Sequence, residues 1–138
     1  MSPVSWQRVE GAALAAAAMV GAAALGGWWW PLATFLLFDL SALGYLAGPR
    51  PGAFTYNLVH SYWGPAVLLV WAVAAAAWAT PGHPEALALA ASAWTFHVGV
   101  DRAVGYGLKE NDSFQHTHLG WIGRGRAARH EHEEGKRS

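Results

Sequence analysis

The stretch Gly11–Phe38, GAALAAAAMVGAAALGGWWWPLATFLLF, decides the fold, because it contains no charged side chain. A second uncharged stretch, SYWGPAVLLVWAVAAAAWAT, runs from Ser61 to Thr80. A soluble helical bundle presents a charged face on every helix. Uncharged, mostly apolar runs of about 18 residues or more are instead typical of membrane spans. The sequence therefore predicts a helical membrane protein.

Four apolar segments, separated by short turns, are the predicted spans. They cover residues 9–27, 29–47, 53–79 and 85–108, and the turns between them are rich in glycine and proline. Short connections imply antiparallel neighbours. The expected fold is all-α, a four-span transmembrane up-down helical bundle with both termini on one face. Residues 1–125 form this domain with a juxtamembrane segment, and residues 126–138 form a charged tail that we expect to be disordered.

The composition bounds the class of protein. The chain has 138 residues, of which 54% are hydrophobic and 13% are charged, and its formal net charge is zero. This balance gives no basis for a nucleic-acid partner. No cysteine is present, which removes disulfides and thiolate chemistry. Two alternatives to the membrane bundle are an alanine-rich soluble bundle and a cleaved signal peptide over the first segment, although Glu10 at the head of that segment argues against the second.

Basic residues predict the orientation. With four spans, both termini and the turn after the second span share one face, which carries Arg8, Arg50, Lys109, Arg124 and Arg126, whereas the other face carries no lysine or arginine. The positive-inside rule then places both termini in the cytoplasm. Membrane lipids are the expected surroundings, and a homo-oligomer is plausible because four short helices bury little surface.

Four ionisable residues lie inside the predicted spans at a similar depth, namely Asp39, His60, His97 and Asp101. Each costs about 2.5–3.5 kcal/mol at the centre of a membrane helix on insertion scales, so their convergence predicts a polar site in the cytoplasmic half of the bundle. His97 and Asp101 are four residues apart and share a helix face. We expect Asp101 to act as a ligand or general base, the two histidines as ligands or proton shuttles, and Asp39 as a second carboxylate.

Other polar residues near the same face complete the predicted site. Asn57, Tyr45, Arg102 and Glu10 are the candidates for substrate binding, with Arg102 suited to an anionic headgroup. The chain after the fourth span begins on the same face, so that a histidine from it could cap the site. The candidate metal ligands are therefore His60, His97 and a tail histidine, His116 or His118, together with Asp39 or Asp101.

Three kinds of chemistry fit these residues. Imidazole and carboxylate ligands suit zinc or iron, or an acid–base pair works without a metal, or the groups neutralise one another in a structural network. The leading interpretation is an enzyme acting on a lipophilic substrate by metal-assisted or acid–base chemistry. The alternative is a proton or ion carrier or an accessory membrane subunit. A carrier needs a polar route to the other face, where the sequence offers little beyond Tyr62, Ser92 and Thr95.

The sequence also resembles the DUF4260 family of small bacterial membrane proteins, from about Arg8 to Gly123. The matching strings are Val9-Glu10-Gly11, Asp39–Arg50 (DLSALGYLAGPR), Tyr56–His60 (YNLVH), His97–Arg102 (HVGVDR), Gly105–Lys109 (GYGLK) and Thr117-His118-Leu119-Gly120. The resemblance implies a small helical membrane protein, which we expect in the bacterial inner membrane. It favours His118 over His116, so that the predicted metal ligands are His60, His97, Asp101 and His118. It implies no activity, because the function of the family is unknown.

Overall fold

The computed structural model describes residues 1–78 and 83–123, and nearly all of the secondary structure is helical. The elements in chain order are α1 (Pro3–Ala24), α2 (Trp30–Ala33), a 3₁₀ helix (Phe35–Ala47), α3 (Pro49–Val59), α4 (Trp63–Ala77), α5 (Pro84–Val104) and the short strands β1 (His116–Thr117) and β2 (Gly120–Trp121). The strands form an antiparallel hairpin. α5 packs against α1, α2 and α4, and the 3₁₀ helix packs against α3.

The helical segments overlap the four predicted spans, but their ends differ: α1, α3 and α5 begin at Pro3, Pro49 and Pro84, before the predicted starts at 9, 53 and 85. The first helix stops at Ala24 and the last at Val104, before the predicted limits of 27 and 108. Two stretches, Trp30–Ala47 and Pro49–Ala77, are long and apolar enough to cross a membrane. The four-span topology and the side of the termini stay predictions. Residue 79, the last of the predicted third span, residues 80–82 of the turn that follows it, and the tail 126–138 lie outside the described residues.

The distribution of apolar side chains is unlike that of a protein folded in water. The buried core consists largely of alanine, while the exposed residues include Leu46 at 88%, Leu36 at 73% and Val70 at 69% of their full accessibility. Large contiguous apolar surfaces are rare on soluble monomers and mark contact with a membrane or a partner. The molecule is therefore a helical bundle whose outer surface suits lipid.

The second predicted span folds as a 3₁₀ helix over most of its length, which its period of three explains. Side chains three residues apart eclipse in this geometry. Leu37, Leu40, Leu43 and Leu46 thus form one stripe, and all four are exposed. At a rise of about 2.0 Å per residue, the 13 residues of the 3₁₀ helix extend about 26 Å. Together with α2 they nearly match a hydrocarbon core of about 30 Å.

The third predicted span is interrupted between α3 and α4, at residues 60–62. Pro65 lies in the first turn of α4, lacks an N–H group and clashes with a carbonyl four residues earlier in a continuous helix. The carbonyl groups that the break leaves free are recovered by side chains: Trp63 Nε1 donates to Leu58 O at 3.0 Å, Trp94 Nε1 to Val59 O at 2.6 Å and Arg102 Nη2 to His60 O at 3.3 Å. Such recovery is obligatory where no water is available.

The helices α1 and α5 pack closely against each other at their glycine residues. A β-carbon on Gly99 would lie 2.7 Å from Gly11 O and 2.8 Å from Ala15 N, closer than real β-carbons approach. The two backbones are therefore in direct contact, as small residues allow in membrane helix pairs. α5 ends at Gly105, whose φ of +100° suits glycine. The N–H of Tyr106 then bonds Asp101 O at 2.8 Å, which turns the chain back over α3.

Candidate functional site

Three elements bring Asp39, His60, His97 and Asp101 together, so the predicted convergence is confirmed. Asp39 comes from the 3₁₀ helix, His60 from the residue that ends α3, and the other two from one face of α5. One ligand atom from each of the four lies within 4.8 Å of all the others. We call these four residues the His/Asp cluster.

The distances within the His/Asp cluster are short and even. His60 Nε2 lies 2.9 Å from His97 Nε2 and 3.5 Å from both Asp39 Oδ1 and Asp101 Oδ2. His97 Nε2 lies 3.7 Å from Asp39 Oδ1 and 4.0 Å from Asp101 Oδ2. Ligands bonded at about 2.0–2.1 Å to a tetrahedral zinc ion are separated by roughly 3.3 Å. The observed distances bracket this separation, so small side-chain movements suffice to enclose an ion.

The cluster has an excess of negative charge when its imidazoles are neutral. Both histidines are fully buried and the Asp101 side chain is 15% exposed. Among the described residues, neither Asp39 nor Asp101 forms an ion pair with a lysine or arginine. Charges removed from water need a partner. A bound cation or captured protons would balance this charge.

The hydrogen bonds of His60 assign its tautomer. Nδ1 lies 3.0 Å from Tyr56 O, which can only accept, so Nδ1 carries the proton. Ser41 Oγ donates to Phe38 O at 2.8 Å and lies 3.3 Å from the same Nδ1. The lone pair of His60 Nε2 therefore points into the cluster. This is the arrangement by which a backbone carbonyl orients a metal-binding histidine.

His97 is held by packing. Its ring centroid lies 4.7 Å from that of Phe35 and 5.2 Å from that of Phe38, both on the inner face of the 3₁₀ helix. Nδ1 is buried and has no hydrogen-bond partner among the described residues. Because His60 Nε2 is unprotonated, His97 Nε2 donates the hydrogen bond between the two rings. Binding of a metal at His97 Nε2 requires that this proton leave or move to Nδ1.

Tyr56 is a site residue that the sequence interpretation missed. Its hydroxyl donates to Asp101 Oδ2 at 2.9 Å, and its ring stacks on His60 with centroids 3.6 Å apart. The signal was present, because Tyr56 precedes His60 by four residues and shares its helix face. Tyr56 thus fixes one ligand by a hydrogen bond and a second by stacking.

Three of the other predicted site residues line a separate cavity of about 360 Å³ beside α1. They are Glu10, Arg102 and His118. His118 Nδ1 accepts from Leu108 N at 2.9 Å, and its Nε2 lies 2.9 Å from Arg102 Nη1. Burial, together with the positive charge of Arg102, lowers the pKa of His118. His118 is not among the four residues of the cluster, and its assignment as a ligand stays a prediction.

Asn57 and Tyr45 have structural partners outside the cluster. Asn57 Oδ1 accepts from Lys109 N at 2.6 Å and its Nδ2 donates to Lys109 O at 2.9 Å, so one side chain holds both backbone groups of Lys109. The Tyr45 ring packs edge-on against Phe114 at 5.2 Å. Both residues therefore anchor the chain that follows α5. Their roles in substrate binding stay predictions.

Lys109 is buried beneath this returning segment. It is 4% exposed, and its Nζ has no hydrogen-bond partner within residues 1–78 and 83–123. Nζ lies 3.9 Å from the Phe114 ring centroid, 4.7 Å from that of Tyr56 and 5.4 Å from that of Tyr106. Burial lowers the pKa of Lys109 to about 8. The aromatic rings favour its ammonium form, and through Tyr56 this cage adjoins the His/Asp cluster.

Comparison with known proteins identifies a family match but no characterised relative. The model of DUF4260, described as a domain of unknown function, matches residues 4–122. This covers the stretch over which the sequence resemblance was drawn. Neither the curated proteins nor the solved structures contain a match to this chain.

Proposed function

Since the chain belongs to the DUF4260 family, a domain of unknown function, its activity has to be inferred from the site, and we propose that it is a membrane enzyme with a zinc or iron centre. The ligands in this proposal are Asp39, His60, His97 and Asp101. The substrate is lipophilic, and the centre lies in the cytoplasmic half of a four-span bundle. The basic residues on the face that carries both termini and the turn after the second span support that orientation.

One observation carries the proposal: two imidazoles and two carboxylates meet in an apolar bundle with no lysine or arginine ion pair to the carboxylates among the described residues. One divalent cation neutralises the two carboxylate charges, whereas neutralisation by protons would require two protons distributed over the four side chains. Nitrogen and oxygen donors of this kind suit zinc and iron. Tyr56 and the carbonyl of the same residue supply the outer hydrogen bonds that metal ligands require.

The residues around the cluster support distinct roles. A bound zinc or iron would supply a Lewis acid next to the substrate. His97, which is completely buried, and His60 would hold it from the protein side. The side chain of Asp39 is 46% exposed, so the substrate side of the centre is the side of Asp39. Tyr56 would keep the Asp101 carboxylate in position through the hydroxyl bond.

Elemental analysis of detergent-purified protein tests the proposal, with neither chelator nor histidine tag used in purification. The wild type is expected to carry close to one zinc or iron per chain, and His97→Ala and Asp101→Ala are expected to lose it while the fold survives. His116→Ala is the matched control, because His116 and Asp112 are also four residues apart and bonded at 2.8 Å, but lie on the surface. A metal-free wild type would overturn the metal centre.

A second candidate is acid–base catalysis without a metal. It is favoured by the 2.9 Å contact between the two Nε2 atoms, which already places a proton between two imidazoles. In this case the cluster transfers protons to and from a lipophilic substrate. Metal-free wild-type protein whose activity on such a substrate is lost in both His60→Ala and His97→Ala would support it.

A further inference from the structure

Asp39 is held differently from the other three residues of the His/Asp cluster. Its side chain is 46% exposed, whereas those of His60, His97 and Asp101 are 3%, 0% and 15% exposed. Asp101 is bonded by Tyr56, and His60 by the carbonyl of the same tyrosine. Within the described part of the chain, Asp39 has only its contacts with the two imidazoles. It is therefore the least constrained of the four side chains.

The surface around Asp39 is apolar. On the 3₁₀ helix it lies between exposed leucines, with Leu36 at 73%, Leu40 at 57% and Leu43 at 60% of full accessibility. These leucines belong to a stretch long and apolar enough to cross a membrane. The open side of the cluster therefore faces the same surroundings as the leucines, and in a membrane-spanning bundle these surroundings would be the hydrocarbon of the bilayer.

An apolar groove of about 380 Å³ lies next to the cluster. Its walls come from the 3₁₀ helix, α4 and α5, and include Thr34, Leu37, Phe38, Leu68, Leu89 and Trp94. Phe38 forms the end nearest the cluster, since its ring lies 5.2 Å from His97 and stacks on Trp94 at 5.7 Å. Asp39 follows Phe38 in the chain. The groove and the cluster are thus adjacent, with one phenyl ring between them.

We propose that the substrate is a membrane lipid that reaches the centre sideways from the bilayer, past Asp39, with its hydrocarbon chain in this groove. The volume lies within the range of ligand pockets, about 300–1,000 Å³. This inference rests on the proposed function, because it names the substrate class of the same centre. The polar group of the lipid lies at Asp39, and its chain runs along α5 towards Trp30.

The direction of the groove supports an inner-leaflet lipid. Residues 86–94 of α5 line the groove, and His97 and Asp101 follow on the same helix towards the face that carries the basic residues. A lipid with its headgroup at that face points its chain towards the bilayer centre. The groove extends from the cluster in this same direction. The headgroup of such a lipid would therefore lie at the level of the cluster, and its hydrocarbon chain at the level of the groove.

Photo-crosslinking of protein in lipid nanodiscs tests the groove, with a palmitic acid analogue that carries a diazirine near its methyl end. We expect labelling of groove residues that excess palmitic acid abolishes. Ala90→Trp fills the groove, and loss of burial for about two methylenes should weaken labelling about tenfold. Ala17→Trp, an exposed alanine on α1 that lines none of the described cavities, should leave labelling unchanged. Unsaturable labelling spread along every lipid-facing helix would overturn the proposal.

The lateral route has its own test, which the absence of cysteine makes simple. A nitroxide on Leu40→Cys should collide more often with oxygen, which dissolves in lipid, than with a water-soluble nickel chelate. A nitroxide on Glu110→Cys should show the reverse. Preference for the nickel chelate at residue 40 would overturn the lateral route.

These results separate the two proposals, because neither readout needs a metal. Metal-free protein that binds palmitic acid saturably would overturn the metal centre and support the groove. Metal-loaded protein with unsaturable labelling would overturn the groove and leave the metal centre intact. If Ala90→Trp fails to fold, competition by palmitic acid in the wild type still decides.

Discussion

Nε2 of His60 lies 2.9 Å from Nε2 of His97, although the two residues are 37 positions apart and belong to different helices. His60 ends α3, and its ring stacks on Tyr56 one turn earlier in that helix, with centroids 3.6 Å apart. The break between α3 and α4 therefore lies directly beside the His/Asp cluster.

Removal of the two carboxylates of the cluster is predicted to have different effects on metal binding and on stability. Asp101→Ala deprives the buried Tyr56 hydroxyl of its acceptor, so it should abolish metal binding and also lower the free energy of unfolding by about 1–3 kcal/mol. Asp39→Ala should weaken metal binding with little change in stability, within about 0.5 kcal/mol, because Asp39 is half-exposed and contacts only the two imidazoles in the described part of the chain. Metal titration and thermal unfolding of both variants measure the difference. Equal destabilisation by both would contradict these roles.

Much of the site could be predicted from the sequence, because ionisable residues in apolar segments are rare and must converge. Asp39, His60, His97 and Asp101 were identified by their depth alone. The position of Tyr56 could have been read from its spacing to His60. The hydrogen bonds between Asn57 and Lys109, which are 52 residues apart, could not be predicted, because no local sequence pattern encodes a contact between distant segments.

The fold was predictable at the level of segments and less so in geometry. Length and charge located the helical stretches, yet they do not distinguish an α-helix from a 3₁₀ helix. The leucines at 37, 40, 43 and 46 carry that information in their period of three. Similarly, Pro65 indicated a disturbance in the third segment, but the partners that recover the free carbonyl groups come from Trp94 and Arg102 in α5.

The packing of α1 on α5 predicts opposite effects for two glycine substitutions. Gly99→Ala places a methyl group 2.7 Å from Gly11 O and should destabilise the protein by about 1–3 kcal/mol. Gly21→Ala meets only Ser92 Oγ at 3.5 Å, and should be neutral or stabilise by up to about 1 kcal/mol because alanine favours helices. Thermal unfolding in detergent compares the two. Tolerance of Gly99→Ala would show that the helices are further apart than described.

Lys109 predicts a rise of stability at alkaline pH. Burial lowers its pKa from the ordinary 10.5 to about 8 in the folded protein. Between these values the unfolded chain binds more protons, so the free energy of unfolding increases with pH from about 8 to 10.5. Below pH 8 both states are protonated and the cost of burying the charge is fully present. The melting temperature of Lys109→Met should lack this rise, and a parallel pH dependence of both proteins would contradict the prediction.

The side chain of Asn57 is expected to stabilise the segment after α5, which returns over α3. Its two bonds to the backbone of Lys109, at 2.6 and 2.9 Å, are each expected to contribute about 0.5–1.5 kcal/mol. Asn57→Ala should therefore speed exchange of the Lys109 amide hydrogen by about tenfold or more, while the helices keep their protection. Asn111→Ala is the matched control, because that asparagine is exposed on the same segment.

A further variant separates the two bonds of Asn57. Asn57→Asp keeps the acceptor for Lys109 N and replaces the donor to Lys109 O with an oxygen, which repels that carbonyl. Exchange at Lys109 should then lie between those of the wild type and Asn57→Ala. Because Lys109 also packs on the Tyr56 ring, loosening of the segment should reach Asp101 through the tyrosine hydroxyl and weaken metal binding. If Asn57→Ala frees the segment yet leaves metal affinity unchanged, the returning segment and the His/Asp cluster are independent.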